Sequence, residues 1–515
     1  MNKPIKKIVI VGGGSAGWLT AGCIAAKHMS DSNGSIEVIL IESPDVKSIG
    51  VGEGTWPSMR NTLEKIGINE KQFIQECDAS FKQGSKFIDW TTNDNNDSYY
   101  HPFMTPDGYN QVDLHQAWQA SQSNISFADA VNVQSHICAA DLAPKQIATP
   151  DYAAVTNYGY HLDAKKFADL LSKHCTTKLN VNYVLDHMVN IISEEDGDIT
   201  AIETRNNGQI TGDLFIDCTG SASLLLGKHY GVKFLEKKHI LFNDSAIATQ
   251  VPHPENSSNI ASTTNSTAQS SGWIWDIALP SRRGVGYTYS SKHINDIDAE
   301  TELRRYIANS IGAEKASTIE TRKITFQPGH REKFWYKNCL AIGMSSGFLE
   351  PLEASALAMV ELSCNMLTEE FPVNKQHMKI LAKRFNERFT YRWERTIEFL
   401  KLHYVISKRT DSSYWVDNKL PSSIPDRLQE LLELWQYQPP NRLDFIQNEE
   451  IFPSASYQYI LYGMKFITKP RALDHKYGSS RFAIKMLHEN KIKIEKYKAG
   501  LPSNRELINA ILGNT

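Results

Sequence analysis

The sequence predicts a mixed α/β fold that opens on a Rossmann-like strand–turn–helix–strand unit. Three observations predict it. A β-branched run, Ile8 to Val11, leads straight into Gly12, Gly13 and Gly14. A segment of helical composition, Trp18 to Lys27, follows. A second strand-like run, Glu37 to Ile41, then ends on the carboxylate Glu42. An unbroken β-branched run suits a strand covered on both faces. The change from strand to glycine turn to helix is the pattern of a parallel βαβ unit.

The remaining elements follow from periodicity and turn chemistry. The polar SDSNGS stretch, 30–35, is the loop before the second strand. Residues 91–111 are rich in Asn, Asp, Pro and aromatics and predict an irregular inserted loop. Residues 161–175 predict a helix, and Val181 to Leu185 and Gly212 to Cys218 predict strands. Residues 254–271 predict a polar loop or one side of a hairpin, and 273–290 alternate as strands do. Residues 352–370 and 376–406 predict long helices, followed from about 420 by short helical stretches and loops.

Bulk numbers exclude several classes. A chain of 515 residues holds roughly three domains' worth of material. Its 41% apolar and 22% charged residues are those of a globular protein, and the formal charge of -3 gives no electrostatic reason for a nucleic-acid or anionic-membrane partner. Seven cysteines, an odd number without a CxxC pair, argue against a disulfide framework or a zinc site, so no metal is expected. The basic start, MNKPIKK, meets only a short apolar run before the glycines, so it reads as a first strand and not a leader. No run approaches the ~18 apolar residues that cross a membrane. The expected location is the cytoplasm.

The turn Gly12-Gly13-Gly14-Ser15-Ala16-Gly17 fits GxGxxG. Gly12 permits the tight turn, Gly14 leaves room for a pyrophosphate, and Gly17 lets the helix pack on the strand. The helix start offers free N–H groups and positive dipole to phosphates. Glu42 is placed to take both ribose hydroxyls, its long spacing from Gly12 being accounted for by the SDSNGS insertion. One such motif at the very start, with the rest of the chain interleaved, favours FAD over NAD.

Four further segments together resemble the flavin-dependent tryptophan halogenases. Gly50-Val51-Gly52-Glu53-Gly54-Thr55-Trp56-Pro57 is similar to the strap that covers the flavin. Ala79-Ser80-Phe81-Lys82-Gln83-Gly84 is similar to the segment with the active-site lysine. Gly272-Trp273-Ile274-Trp275-Asp276-Ile277 is similar to the WxWxIP signature, with Ala278 in place of Pro. Gly347-Phe348-Leu349-Glu350-Pro351-Leu352-Glu353-Ala354-Ser355-Ala356 is similar to the segment with the catalytic glutamate and halide site. These keep the family's order to about residue 360, and beyond 400 the likeness fades.

The resemblance implies an enzyme that takes reduced FAD from a separate flavin reductase, uses O2 to oxidise chloride or bromide to hypohalous acid, and halogenates a small electron-rich aromatic. It implies that 1–92, 155–235 and 270–375 form a three-layer FAD-binding module of the flavin-monooxygenase type. Residues 93–154 and 376–515 would form an interleaved, mainly helical substrate module, with a homodimer as the candidate assembly.

It also assigns residues. Lys82 would present the halogenating agent and Glu353 would be its carboxylate partner, with Glu350 the competing candidate. Gly12, Gly14, Ser15, Ala16, Gly17, Glu42, Ser43, Val51, Gly52, Glu53, Met188, Met344 and Leu357 would line FAD. Backbone amides of Ser355 and Ala356 would hold the halide, where Ala356 replaces a glycine and adopts φ > 0 less freely. His101 and Phe103 would sandwich the ring, and Phe452 stands near a further aromatic position. No Tyr-Tyr pair precedes Phe452, so an indole without an amino-acid clamp is at least as good a substrate as free tryptophan. The alternative is an FAD-dependent aromatic hydroxylase, but such enzymes usually carry Gly-Asp where this chain has Gly343-Met344. A flavin-binding module without chemistry is a further alternative, which the retention of Lys82 and Glu353 opposes.

Overall fold

The computed structural model describes all residues except 1–3, 29–35, 47–51, 95–96, 110, 122–123, 448–449, 470–480 and 514–515, and the side chains of 481–483. The loop expected at 30–35 and the strap residues Gly50 and Val51 therefore lie outside the described residues. The chain divides into two discontinuous units. One comprises Met1–Ala79, Leu162–Lys237 and Gln327–Trp393; the other comprises Ser80–His161, Lys238–Phe326 and Glu394–Thr515.

The first unit is built on a six-stranded sheet. Its order is Trp335–Tyr336, Cys339–Ala341, Leu214–Asp217, Lys7–Val11, Glu37–Glu42, Asn182–Leu185. Every pairing is parallel except the first, which is a short antiparallel turn-back. Ile8 to Val11 are buried on both faces, as their composition requires. On one side Val9, Val11, Ile39, Ile41 and Phe215 pack on Ile199, Ile202 and Ile210 of a three-stranded antiparallel layer, Met188–Ser193, Ile199–Thr204 and Gly208–Thr211. The helices Ser15–His28, Ala164–Lys178 and Ser355–Glu369 also belong to this unit. The first runs three residues earlier than its composition suggests, because the glycine turn passes directly into helical backbone at Ser15.

The second unit carries a seven-stranded sheet. Its order is Thr321–Thr325, Ser245–Pro252, Arg282–Tyr289, Gly272–Ala278, Thr264–Ala268, Gly84–Ile88, Ser98–Pro102. All pairings are antiparallel except that of Thr264–Ala268 with Gly84–Ile88. The helix Asp296–Ile311 covers it with Ala299, Leu303 and Ile307, an i, i+4, i+8 stripe. Asn295 caps that helix by accepting the Asp298 N–H at 3.0 Å.

One expectation needs correction. Residues 91–111 are not wholly irregular: Ser98–Pro102 is a strand on the sheet edge, in register with Gly84–Ile88. The Asn/Asp-rich composition of its flank hid a five-residue run whose partner lies before it in the chain. The stretches 93–154 and 376–515 are mainly helical, with Ser98–Pro102 their one strand among the described residues. Residues 80–92 and most of 270–375 up to 326 pack with 93–154 and 394–515, because the sheet strands at 84–88 and 272–289 pair with one another through Thr264–Ala268. The stretch 254–271 takes the hairpin alternative: Thr264–Ala268 is one arm and Gly272–Ala278 the other. Among the described residues no helix is long and apolar enough to cross a membrane.

Candidate active site

In the first unit the glycine turn does what its three glycines allow. Gly12 has φ +116°, and a Cβ there would lie 2.1 Å from the Cys218 carbonyl oxygen. A Cβ on Gly17 would lie 1.8 Å from the Gly12 oxygen, so the helix can approach the strand only without one. Gly14 differs: among the described residues a Cβ there meets nothing within 4 Å. The turn thus leaves an open cradle at Gly14, beside the first N–H groups of the Ser15–His28 helix. Ser15 Oγ donates to the Ala164 carbonyl at 3.3 Å, and Ala16 packs 2.8 Å from where a Cβ on Gly343 would be.

Glu42 closes its strand next to this turn. A Cβ on Gly13 would fall 2.5 Å from Glu42 Oε2, and the Tyr183 hydroxyl donates to the same oxygen at 3.0 Å. Burial raises the Glu42 pKa, while hydrogen bonds from Tyr183 and Trp18 pull it back. Ser43 Oγ pairs with His187 Nδ1 at 3.1 Å, and Met188 opens the following strand, half-buried. Gly52 and Glu53 form a short strand with Gly54, and burial pushes the Glu53 carboxyl up to about 7. Met344 sits in a 3₁₀ turn, Gly343–Ser345, and is 37% exposed.

The segment after Gly347 makes two turns of different kind. Pro351 precedes a 3₁₀ turn, Leu352–Ala354, and the long helix starts only at Ser355. Glu353 and Ala354 both lie in the left-handed region, at φ 63° and 54°. This corrects the expected strain: the positive φ falls on Glu353 and Ala354, and Ala356 is ordinary helix. Ala354 offers no side-chain cap, so the amides of Ser355 and Ala356 begin a helix uncapped by a side chain. Ser355 and Leu357 are buried, and Ala356 is exposed. Glu350 and Glu353 are both buried.

Lys82, His101, Phe103 and Phe452 belong to the second unit. Lys82 is fully buried on the strand Ser80–Lys82, opposite Gly159 in an antiparallel pair. Its ammonium stands 5.4 Å from the Phe103 ring centre. The Phe103 N–H donates to the Gln83 carbonyl at 3.0 Å, and Gln83 is itself held by Leu142 and Thr156. His161, also fully buried, faces Thr264 Oγ1 at 2.8 Å. Burial first, and the Lys82 charge second, hold its pKa well below the ordinary range.

His101 lies on the edge strand, with ring centres 5.9 Å from Phe399 and 6.0 Å from Tyr459. Phe452 stacks on Phe399 at 3.9 Å. The structure therefore joins His101 and Phe452 through Phe399, which the motif reading passed over. No signal distinguished Phe399 from an ordinary apolar position of a long helix. Trp273 and Trp275 share a strand face with ring centres 6.4 Å apart, and Gly286 opposite leaves the space that the Trp275 indole fills.

Comparison with known proteins decides the family. The model of the tryptophan halogenase family matches residues 7–477. The chain belongs to the tryptophan halogenase family. It is 32% identical to the tryptophan 6-halogenase ThaL of Streptomyces albogriseolus, over 83% of this chain and 82% of the relative. It is also 32% identical to the tryptophan 7-halogenase RebH of Lentzea aerocolonigenes, over 85% and 83%. The crystal structure of a tryptophan halogenase from Shewanella frigidimarina superposes with a TM-score of 0.96 at 50% identity, covering 99% of this chain and 98% of that one. The likeness thus continues past residue 400, where short motifs give out but the fold does not. Members of this family are flavin-dependent oxidoreductases, and the open cradle at Gly14 with Glu42 beside it fits an FAD pyrophosphate and ribose.

Proposed function

We propose that this chain is an FADH2-dependent halogenase that uses O2 and chloride or bromide to halogenate an electron-rich aromatic such as tryptophan or another indole. Family membership supports the halogenase chemistry, and one observation carries the choice of residues: Lys82 has no solvent exposure, yet its ammonium faces an aromatic ring. Lysine is seldom fully buried without a task.

FAD, reduced by a separate reductase, would activate O2 when bound, and O2 is the oxidant that takes two electrons from the halide. Gly12, Gly14, Ser15, Ala16 and Gly17 hold its pyrophosphate, Glu42 and Ser43 its ribose side, and Val51, Gly52, Glu53, Met188, Met344 and Leu357 the remainder. The amides of Ser355 and Ala356 bind the halide as free donors at a helix start. Trp273 and Trp275 keep organic substrate away from the oxidising end. Lys82 hydrogen-bonds the electrophilic halogen species and delivers it, in surroundings that exclude water. Glu353 stabilises the cationic ring and accepts its proton. His101 and Phe103 hold the substrate ring flat by stacking, with Phe452 as the third aromatic.

The test supplies the protein with FAD, a flavin reductase, O2 and either bromide or chloride, and a panel of indoles and phenols including free tryptophan. Mass spectrometry then reads the products. Halogenated ring is the expected result. Hydroxylated product that ignores halide would convert the assignment to an aromatic monooxygenase.

A further inference from the structure

The start of the Ser355–Glu369 helix poses a mechanical problem. Glu353 and Ala354 are consecutive left-handed residues, and neither is glycine. A Cβ resists that region, so such a pair persists only where the surroundings over-determine it. Relaxation is easy to picture: both residues turn right-handed and the helix extends backward by a turn. The Glu353 side chain would then leave the backbone in another direction, and the first free amides would shift along the chain.

Three hydrogen bonds from one neighbouring segment oppose this. The Trp56 indole N–H donates to the Glu353 carbonyl oxygen at 2.8 Å. From the helix that follows Trp56, Ser58–Ile66, Ser58 Oγ donates to Glu361 at 3.0 Å and Thr62 Oγ1 donates to it at 2.6 Å. The last two fix the long helix two turns from its start, and the first fixes the carbonyl at the strained pair. Of these three, the Trp56 bond is the one made to the strained backbone itself, where the Ala354 N–H also donates to the Pro351 carbonyl at 3.0 Å. We propose that Trp56 is a positioning residue for Glu353: its indole N–H locks the left-handed Glu353–Ala354 pair and so sets both the Glu353 side chain and the first amides of the Ser355–Glu369 helix. The inference rests on the role given to Glu353 above.

Three substitutions test it. Trp56→Phe keeps the aromatic bulk and removes the donor. Trp56→His retains an N–H. Ala354→Gly makes the left-handed backbone nearly free of cost, so that the lock matters less. Two quantities are measured: kcat at saturating halide and aromatic substrate, and amide hydrogen exchange of residues 353–358 in flavin-free protein. Trp56→Phe should lower kcat about five- to tenfold, the loss of one hydrogen bond, with KM for the aromatic substrate nearly unchanged. Exchange at 353–358 should speed up by a similar factor. Trp56→His should recover most of both. In the Ala354→Gly background the Trp56→Phe loss should shrink to about twofold.

A residue that merely packs would give Trp56→Phe the same loss in both backgrounds and leave exchange at 353–358 unmoved; either outcome overturns the proposal. The exchange measurement needs no turnover. A wild-type protein that makes no halogenated product, yet shows the predicted exchange pattern, would refute the function assigned to Glu353 and leave the backbone lock standing.

Discussion

Replacing Gly14 by alanine separates two requirements that the glycine turn merges. At Gly12 the backbone has φ +116° and a Cβ would overlap the Cys218 carbonyl at 2.1 Å. At Gly17 it would overlap the Gly12 carbonyl at 1.8 Å. Those glycines are demanded by the fold, and alanine at either should cost about 3 kcal/mol or more in overlap and strain. At Gly14 a Cβ meets nothing within 4 Å among the described residues. Gly14→Ala should therefore raise the stability of the flavin-free protein by about 0.4–1 kcal/mol, because alanine has less freedom to lose on folding. That corresponds to a rise in Tm of about 1 °C or less for a chain of this length. Flavin affinity should move the other way. The added methyl occupies the cradle and holds the phosphates off the helix N–H groups, at the expense of one or two charge-assisted hydrogen bonds. A 10- to 100-fold weaker Kd, about 1.4–2.8 kcal/mol, is expected. Thermal denaturation of flavin-free protein and titration with FAD followed by flavin fluorescence read the two effects separately. Wild-type FAD affinity in Gly14→Ala would refute the cradle, and a lowered Tm would refute the claim that the space is empty of protein.

Three other perturbations have defined signs. Lys82→Met keeps the length of a buried side chain and removes its amine; product should fall by at least 10³-fold while oxidation of bound reduced flavin continues, and an unchanged product yield would end the role of Lys82. Glu361 is buried on the Ser355–Glu369 helix, and burial lifts its carboxyl to about 7 against the hydrogen bonds of Thr62 and Ser58. Between an unfolded pKa of about 4.5 and 7 the folded state binds the extra proton, so stability falls as pH rises through that window. Glu361→Gln should remove a penalty of up to about 3 kcal/mol at pH 8 and change little at pH 4, as read by Tm across pH; equal shifts at both pH values would contradict it. His115 stacks on Tyr462 at 4.0 Å, burial lowers its pKa to about 4, and its Nε2 is buried without a hydrogen-bond partner among the described residues. A folded pKa below the unfolded value of about 6.5 means stability lost as pH falls from 6.5 toward 4. His115→Phe should be neutral to about 1 kcal/mol stabilising at pH 7, and increasingly stabilising toward pH 4.5; a Tm below wild type throughout that range would show that the imidazole is needed.

Sequence alone determined the features that depend on a few adjacent residues. The glycine turn, the strands on either side of it and the carboxylate Glu42 follow from local sterics: a β-branched run, a position needing positive φ and a helix start. Lys82 and Glu353 were singled out by motif register, which is also local. The long helices at 355–369 and 375–405 were legible within a few residues, because helical periodicity repeats inside each segment. Tertiary structure decided whatever depends on partners distant in the chain. That Ser98–Pro102 is a strand depends on its ladder with Gly84–Ile88, and that 264–268 joins the sheet depends on two neighbours at once. Phe399 stands between His101 and Phe452 because a helix and a strand about 300 residues apart bring their rings together, which no composition rule encodes. The left-handed pair at Glu353 and Ala354 is the sharpest case. Intrinsic propensity places such residues in the right-handed helix, and only contacts such as the indole of Trp56, almost 300 positions earlier, make the unfavourable conformation the stable one.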